Sequence, residues 1–294
     1  MIAITDSHHH IWRQADLPWL QGPMVPRIFG PYEPIRRDYT ITEYLAEVAA
    51  TGVDRSVYIQ ANWPKHKAVE EVAFVQSVAG IHGWPHAIIG YADLLADDAA
   101  ITLNAQAKHL LMRGIRMQLH WHVNPLYCFA HSPDIMNQAL FRKNMALLAG
   151  HGWSFDLQVF TGQMADAARL AADFPQTVFI LQHAGMLEDL SATGRNAWRE
   201  GMQRLAQQPN IVSKLSGLGT FIHRNDAQHI AEIVETTVEI FSTGRCLFGS
   251  NFPIEKLWTG YAELVAAHRK ALAYLPLPDQ VAILDGNARR IYRI

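Results

Sequence analysis

The chain has 294 residues, of which 49% are hydrophobic and 18% are charged, a globular composition that excludes wholesale disorder. Its 25 Lys and Arg against 27 Asp and Glu give a formal net charge of −2, and no run of five basic residues occurs, so the charge indicates neither a nucleic-acid nor an anionic-membrane partner. The two cysteines, Cys128 and Cys246, exclude a four-thiolate zinc site and a disulfide framework.

The sequence shows no pattern of a secretory signal or of a membrane span. No basic segment is followed by an apolar stretch, as a secretory signal requires, and no apolar run reaches the roughly 18 residues of a bilayer span. We therefore expect a cytoplasmic protein that acts on a small molecule as a monomer or homodimer.

Eight short apolar runs alternate with longer segments of helical character. Most of the runs are continuously apolar, which is typical of strands covered on both faces of a parallel sheet. The predicted strands are 2–5, 54–60, 86–91, 114–119, 153–160, 177–182, 211–215 and 246–249. Eight such units predict an α/β fold, a single-domain (β/α)8 TIM-like barrel over residues 1–294. The competing open doubly wound sheet lacks its usual G-x-G-x-x-G loop after the first strand.

Two long irregular segments, 18–37 and 119–133, follow the carboxyl ends of the first and fourth predicted strands. Active sites of barrels lie at this face, and long loops there often wall the binding site. Four aromatic residues in or near such loops are candidates for a pocket wall, although each is equally explained by packing. They are Trp12, Trp63, Trp121 and Tyr127.

The first strand runs into the sequence Asp6-Ser-His8-His-His10. Strand alternation predicts that Asp6, His8 and His10 point to one side and that Ser7 and His9 point to the other. Two imidazoles at a barrel mouth can share a metal ion or polarise a substrate carbonyl. The alternative is an exposed run of polar residues.

Other strand ends carry further polar side chains. His183 ends the sixth strand, and on the fourth strand Arg116 shares a face with Gln118, His120 and His122. A buried Arg needs an anion, which is either a structural carboxylate or a substrate carboxylate, and Lys214 on the seventh strand poses the same alternatives.

The eighth strand ends in Gly249-Ser-Asn251. The amide of Asn251 can orient a water molecule but cannot accept its proton. Glu255 is the nearest carboxylate, and its position favours the acid of a helix N-terminus.

Several of these motifs together resemble the amidohydrolase superfamily, in particular the branch with 2-pyrone-4,6-dicarboxylate lactonase and fuconolactonase-like sugar lactonases. The resemblance extends from residue 2 to the ending Asn287-Ala-x-Arg-x-Tyr292. The motifs that carry it are Asp6-x-His8-x-His10, His183 after the sixth strand, Lys214-Leu-Ser-Gly and Phe248-Gly-Ser-x-x-Pro. It implies a (β/α)8 barrel that hydrolyses a cyclic ester or a related bond at the strand ends.

The resemblance also implies roles for individual residues. His8, His10 and His183 would hold a metal ion or polarise the lactone carbonyl directly, and Arg116 and Lys214 would lie near substrate carboxylate or hydroxyl groups. Because Gln118 and Gln158 stand where metal-dependent relatives supply a further His or a carboxylated Lys, the metal stays open, with one divalent ion such as zinc as the candidate.

Asn251 departs from the pattern as well, since it replaces the Asp that activates the attacking water. Three explanations stay open. Another group, namely His120, His122 or Glu255, accepts the proton; or the reaction needs no strong base; or the chain is a binding relative without catalysis.

We therefore expect a hydrolase that opens the lactone of a small carboxylated or polyhydroxylated compound. The alternatives are a zinc-dependent decarboxylase, deaminase or amide hydrolase, or a catalytically silent ligand-binding barrel. The predicted catalytic residues are His8, His10, His183 and Asn251, with the three histidines as ligands if a metal is bound. The predicted substrate-binding residues are Arg116, Lys214, His120, His122, Trp121 and Gln158.

Overall fold

The computed structural model describes residues 2–294, so Met1, where the predicted domain begins, lies outside the described residues. Within residues 2–294, eight parallel strands are neighbours in chain order in one sheet. The strands β1 to β8 are Ile4–His9, Val53–Ile59, Ala87–Gly90, Met112–Ile115, Ser154–Leu157, Phe179–Leu181, Ile211–Leu215 and Cys246–Phe248.

Helices connect the strands, which confirms the predicted (β/α)8 barrel. Helices α1 to α12 are Pro18–Gln21, Ile41–Val48, Ala68–His82, Ala99–Gln106, Ala139–Met145, Leu147–His151, Met164–Asp173, Ala192–Ala206, Ala227–Phe241, Tyr261–Leu272, Leu277–Val281 and Asn287–Tyr292. Helix α2 begins after Thr40, whose hydroxyl accepts a hydrogen bond from the Glu43 amide. No helix among the described residues is both long and apolar enough to cross a membrane.

Side chains alternate along the strands between two apolar clusters. One set, which includes Tyr58, Ile88 and Phe179, packs in the large cluster with the surrounding helices. The other set, which includes Ile59 and Ile89, packs in a smaller cluster with α12. These strands are therefore buried on both faces, as their continuously apolar sequences predict.

The barrel closes through backbone groups next to the predicted site. The Asn251 amide donates to the His8 carbonyl at 2.7 Å, and the His10 amide donates to the Phe252 carbonyl at 2.8 Å. Strands β4 and β5 end at Ile115 and Leu157, earlier than predicted, so the polar residues that follow them lie just beyond the strand ends.

An irregularity in β1 corrects one prediction. Asp6 pairs with Ser56 of β2 and His9 pairs with Tyr58, so three steps along β1 match two steps along β2. Such a bulge breaks the two-residue alternation of side chains. The prediction that Asp6 points to the same side as His8 and His10 is therefore wrong.

The Asp6 carboxylate instead faces the helical layer. It accepts hydrogen bonds from the hydroxyls of Tyr44 in α2 and Tyr261 in α10, both at 2.9 Å, and from the Ser250 amide at 2.8 Å. His9 stacks on the Tyr44 ring with 4.0 Å between centroids. The carboxylate thus joins the barrel to two helices and leaves the imidazoles of His8 and His10 to the mouth.

Candidate active site

A cavity of about 90 Å³ lies at the carboxyl ends of the strands. Five of the predicted catalytic and substrate-binding residues line it, namely His10, Arg116, Gln158, His183 and Asn251. They follow β1, β4, β5, β6 and β8 and are far apart in the chain. The barrel therefore brings them together, as expected for the catalytic face of this fold.

His8 lies beside this cavity and contacts both of the other predicted histidines. Its ring centroid is 5.1 Å from that of His10 and 4.9 Å from that of His183. Burial lowers the pKa of His8 and His10 well below the usual value, and it lowers the pKa of His183 to about 3. All three imidazoles are therefore neutral at physiological pH.

Hydrogen bonds fix the tautomers of two of these rings. Nδ1 of His10 donates to the Ile59 carbonyl at 2.7 Å, and Nδ1 of His183 lies 3.2 Å from the Ser216 carbonyl and 2.9 Å from its hydroxyl. Because a carbonyl accepts only from an N–H, the Nε2 atoms of both rings keep their lone pairs. Both nitrogens of His8 are buried without a partner.

Two glycines allow the histidines to approach their neighbours. Gly217 has φ +61°, and a Cβ there would lie 2.6 Å from Nδ1 of His183. A Cβ on Gly249 would lie 2.7 Å from Cβ of His8. His183 and Asn251 themselves adopt left-handed backbone angles, with φ of 54° and 58°. Such strained residues are frequent at functional sites.

Arg116 supplies the positive charge of the cavity wall. Its side chain is buried, its Nη2 donates to the Gln60 carbonyl at 2.5 Å, and its Nε has no partner. Burial lowers its pKa only to about 10, so the guanidinium stays charged at neutral pH. No carboxylate is among the residues that line the cavity within 2–294. An anionic ligand group therefore suits this wall.

Glu255 lies directly behind the cavity wall. Trp258 donates to its carboxyl group at 2.9 Å, and the hydroxyl of Thr220, which lines the cavity, donates at 3.5 Å. The Asn251 side chain lies beside this carboxyl group, and burial raises the pKa of the carboxyl group to about 8. Glu255 begins a short 3-10 helix, Glu255–Leu257, as its interpretation as a helix-terminal acid predicts, but its side chain is buried behind the cavity.

Lys214 lies elsewhere than the resemblance implied. Its side chain is fully buried, and its ammonium group donates to Asp156 at 3.0 Å and to the Ser7 carbonyl at 2.9 Å. The ammonium also faces the Tyr292 ring of α12 at 5.4 Å. Lys214 does not line the cavity, and the anion that it contacts is the carboxylate of Asp156. Of the two alternatives for this lysine, the structural carboxylate is therefore the one present, in place of the predicted contact with substrate.

Three further predicted substrate contacts also lie away from the cavity wall. His120 is buried between the rings of Phe129 and Phe160, and burial lowers its pKa to about 3. Nε2 of His122 faces Glu188 at 3.6 Å. The Trp121 side chain does not line the cavity. All three residues lie in the loop that follows β4, which ends at Ile115.

Aromatic side chains build the outer wall, as predicted for the segment after β1. Trp12, Trp19 and Phe29 line the cavity, and Nε1 of Trp19 donates to the Ala61 carbonyl at 3.0 Å. Trp63 lines a neighbouring cavity, whereas Tyr127 lines neither. No sequence motif distinguished Trp19 and Phe29 individually, although the length of their loop was the signal.

His8 in β1, His10 directly after it and His183 after β6 lie together at the mouth of a (β/α)8 barrel, an arrangement that resembles an amidohydrolase site. The amidohydrolase family model matches residues 5–294. The chain belongs to the amidohydrolase family.

Individual relatives agree along nearly the whole length. The chain is 33% identical to the uncharacterized protein y4mH of Sinorhizobium fredii, with 100% of this chain and 99% of that protein covered. It is 28% identical to an L-fucono-1,5-lactonase of Burkholderia multivorans, with 98% and 95% covered. A crystal structure of a Burkholderia multivorans amidohydrolase with bound zinc has 26% identity and a TM-score of 0.84, with 99% of both chains covered.

Proposed function

We propose that this protein is a hydrolase that opens the cyclic ester of a small carboxylated or polyhydroxylated compound. The observation that carries the proposal is the composition of the cavity wall, which combines the charged Arg116 with imidazoles and amides but no carboxylate. Such a wall attracts an oxygen-rich or anionic molecule. The lactonase among the relatives acts on a ligand of this kind and supports the assignment.

Arg116 and three amides bind and orient the substrate in this proposal. The free Nε of Arg116 donates to a carboxylate or hydroxyl oxygen of the substrate. The amides of Gln118, Gln158 and Asn251 also line the cavity and hold hydroxyl groups and the attacking water. Oε1 of Gln158 is buried without a partner, so it is available to accept from a substrate hydroxyl.

The three imidazoles fit a divalent metal ion by their donor chemistry. His10 and His183 present lone pairs, so in the neutral state they cannot themselves donate to a carbonyl oxygen. Two imidazoles bound to one zinc at about 2.1 Å have ring centroids about 5 Å apart, close to the distances around His8. Among residues 2–294, however, no three acidic, His or Cys side chains form a preformed metal centre.

Because their donor chemistry fits, we assign His8, His10 and His183 as the groups that would hold a divalent ion such as zinc. When bound, such an ion polarises the carbonyl and acidifies water. Gly217 and the Ser216 backbone keep the His183 ring in the required tautomer. These contacts correspond to the second layer of partners that orients metal-binding imidazoles in other proteins.

Glu255 is the proton acceptor in this proposal. Its carboxyl group accepts a hydrogen bond from the hydroxyl of Thr220. Water in the cavity gives a proton to this hydroxyl, which passes its own proton on to Glu255. Its pKa of about 8 places the ionisation near the working range of a general base. Activity should therefore rise with pH through about 8, and Glu255→Gln should remove this rise.

The test is a proton-release screen of sugar-acid and dicarboxylate lactones, with and without a chelator. We expect turnover that Arg116→Gln lowers at least tenfold. Metal content, measured by mass spectrometry, should be stoichiometric in the wild type and lost in His10→Gln. Turnover that survives complete removal of metal would contradict the assignment of the histidines, while absence of turnover on every lactone would contradict the hydrolase.

One observation favours a second candidate, a ligand-binding barrel without catalysis. No carboxylate lines the cavity, so direct contact between a carboxylate base and water is absent from the described wall. This candidate predicts that the open acid binds tightly, by calorimetry, while no lactone is turned over.

A further inference from the structure

A second and wider cavity lies beside the proposed active site. Its volume is about 320 Å³, against about 90 Å³ for the inner cavity. The two share Trp19, Phe29 and Asn62 in their walls. A molecule that fills the inner cavity therefore has room to extend past these side chains into the outer one.

The outer cavity presents hydrogen-bond donors without matching acceptors. Nε of Arg27 and Nε1 of Trp63 are both buried without a partner. Among residues 2–294 the guanidinium of Arg27 forms no ion pair, and no carboxylate lines the cavity. Buried donors of this kind carry a free-energy cost until an acceptor arrives, so the wall is complementary to an anion.

The ring of Trp19 contacts the guanidinium group of Arg27. The guanidinium carbon of Arg27 lies 5.8 Å from the centroid of Trp19, within the range of a cation–π contact. Lys65 adds a second cation to the wall, and its ammonium is shared with Asp93 at 2.7 Å. The charge of Arg27 is thus the one that is not already balanced by a neighbouring carboxylate.

We propose that the outer cavity binds an anionic group, a carboxylate or a phosphate, on an arm of the substrate beyond the lactone ring. This inference rests on the proposed function for the ring itself. It extends that function by assigning Arg27 and Trp63 to a second binding site. The specificity of the protein then depends on an arm long enough to reach from the histidines past Trp19.

The experiment compares two lactones with the same ring, glucono-1,5-lactone and its 6-phosphate. We expect the wild type to prefer the phosphorylated compound at least tenfold in kcat/KM, through a lower KM. Arg27→Gln should lower kcat/KM for the phosphorylated lactone at least tenfold and change the neutral lactone less than twofold. Trp63→Phe, which removes the N–H donor together with part of the ring, should cause a smaller and equally selective loss. Arg204→Gln, an exposed arginine on α8, is the matched control.

Other outcomes overturn the inference. Equal losses on both lactones in Arg27→Gln indicate a structural role, and unchanged selectivity indicates that the cavity does not bind the anion. Calorimetry with the open acid, 6-phosphogluconate, gives a readout that does not need turnover. If no lactone is opened but this acid binds in an Arg27-dependent way, the second site stands and the hydrolase assignment fails. If the acid does not bind and the phosphorylated lactone is not preferred, the second site is wrong.

Discussion

Replacing Lys214 by Met tests whether this lysine supports the fold or binds substrate. The ammonium and the Asp156 carboxylate are 3.0 Å apart with both side chains fully buried. The variant leaves Asp156 with the Gln182 amide as its remaining donor, at 2.8 Å. Removing one partner of a buried pair costs about 3–5 kcal/mol in the free energy of unfolding. For a chain of this length that loss lowers the Tm by about 5–8 °C.

The assay is urea-induced unfolding followed by tryptophan fluorescence, together with kcat and KM at a temperature where all variants are folded. The double variant Lys214→Met with Asp156→Asn should recover much of the lost stability, because neither partner then carries an unpaired buried charge. Lys143→Met, an exposed lysine in α5, is the control and should change stability by less than about 0.5 kcal/mol.

The result that refutes this reasoning is a Lys214→Met protein of wild-type stability with a strongly raised KM. That outcome would place the ammonium group on the substrate. A stability loss that the double variant leaves unrepaired would instead show that the Ser7 carbonyl, which accepts from the same ammonium at 2.9 Å, is the more important partner.

Three other variants test separate features. Gly217→Ala should lower kcat/KM at least tenfold, because a Cβ there lies 2.6 Å from Nδ1 of His183, whereas Gly244→Ala, with open space around it, should be neutral. Burial raises the pKa of Glu71 to about 7, so the stability that its protonated form contributes is present below pH about 4.5 and is lost as pH rises through 7. The free energy of unfolding, measured by urea titration, should therefore decline over this range, and Glu71→Gln should remove about 3 kcal/mol of that decline. The same decline in the variant would contradict the raised pKa. Asn251→Asp should lower kcat at least tenfold instead of raising it, because the new carboxylate contacts Glu255.

The strands were predictable because each is short, apolar and rich in branched residues, and all eight are present. Their ends were less predictable. The carboxyl end of β4 is set by pairing with β5 at two positions, Gly114 with Ser154 and Ile115 with Phe155, which local sequence does not reveal. The bulge in β1 has the same origin, since register depends on the neighbouring strand.

The proximity of His8, His10 and His183 was predictable, because each follows an apolar run that forms a strand of the barrel. Pairing between residues that are distant in the chain was not predictable. The partner of Lys214 lies 58 positions away, so the sequence left its role open. Arg27 gave no sequence signal, because its proposed role rests on its unpartnered Nε and on its contact with the ring of Trp19.

The carboxyl group of Glu255, which lies behind Asn251, explains why position 251 carries a neutral amide. Two carboxyls in contact inside a buried site cannot both ionise, so an Asp at 251 would compete with Glu255 for one proton. With Asn251 in the wall, the carboxyl group of Glu255 lies behind the cavity, and Arg116 is the charged side chain among the described residues that line it. An anionic substrate is then attracted without a repelling carboxylate, while Thr220 still connects the cavity to Glu255. We therefore propose that Asn251 adapts the site to its ligand and is not the remnant of a lost base.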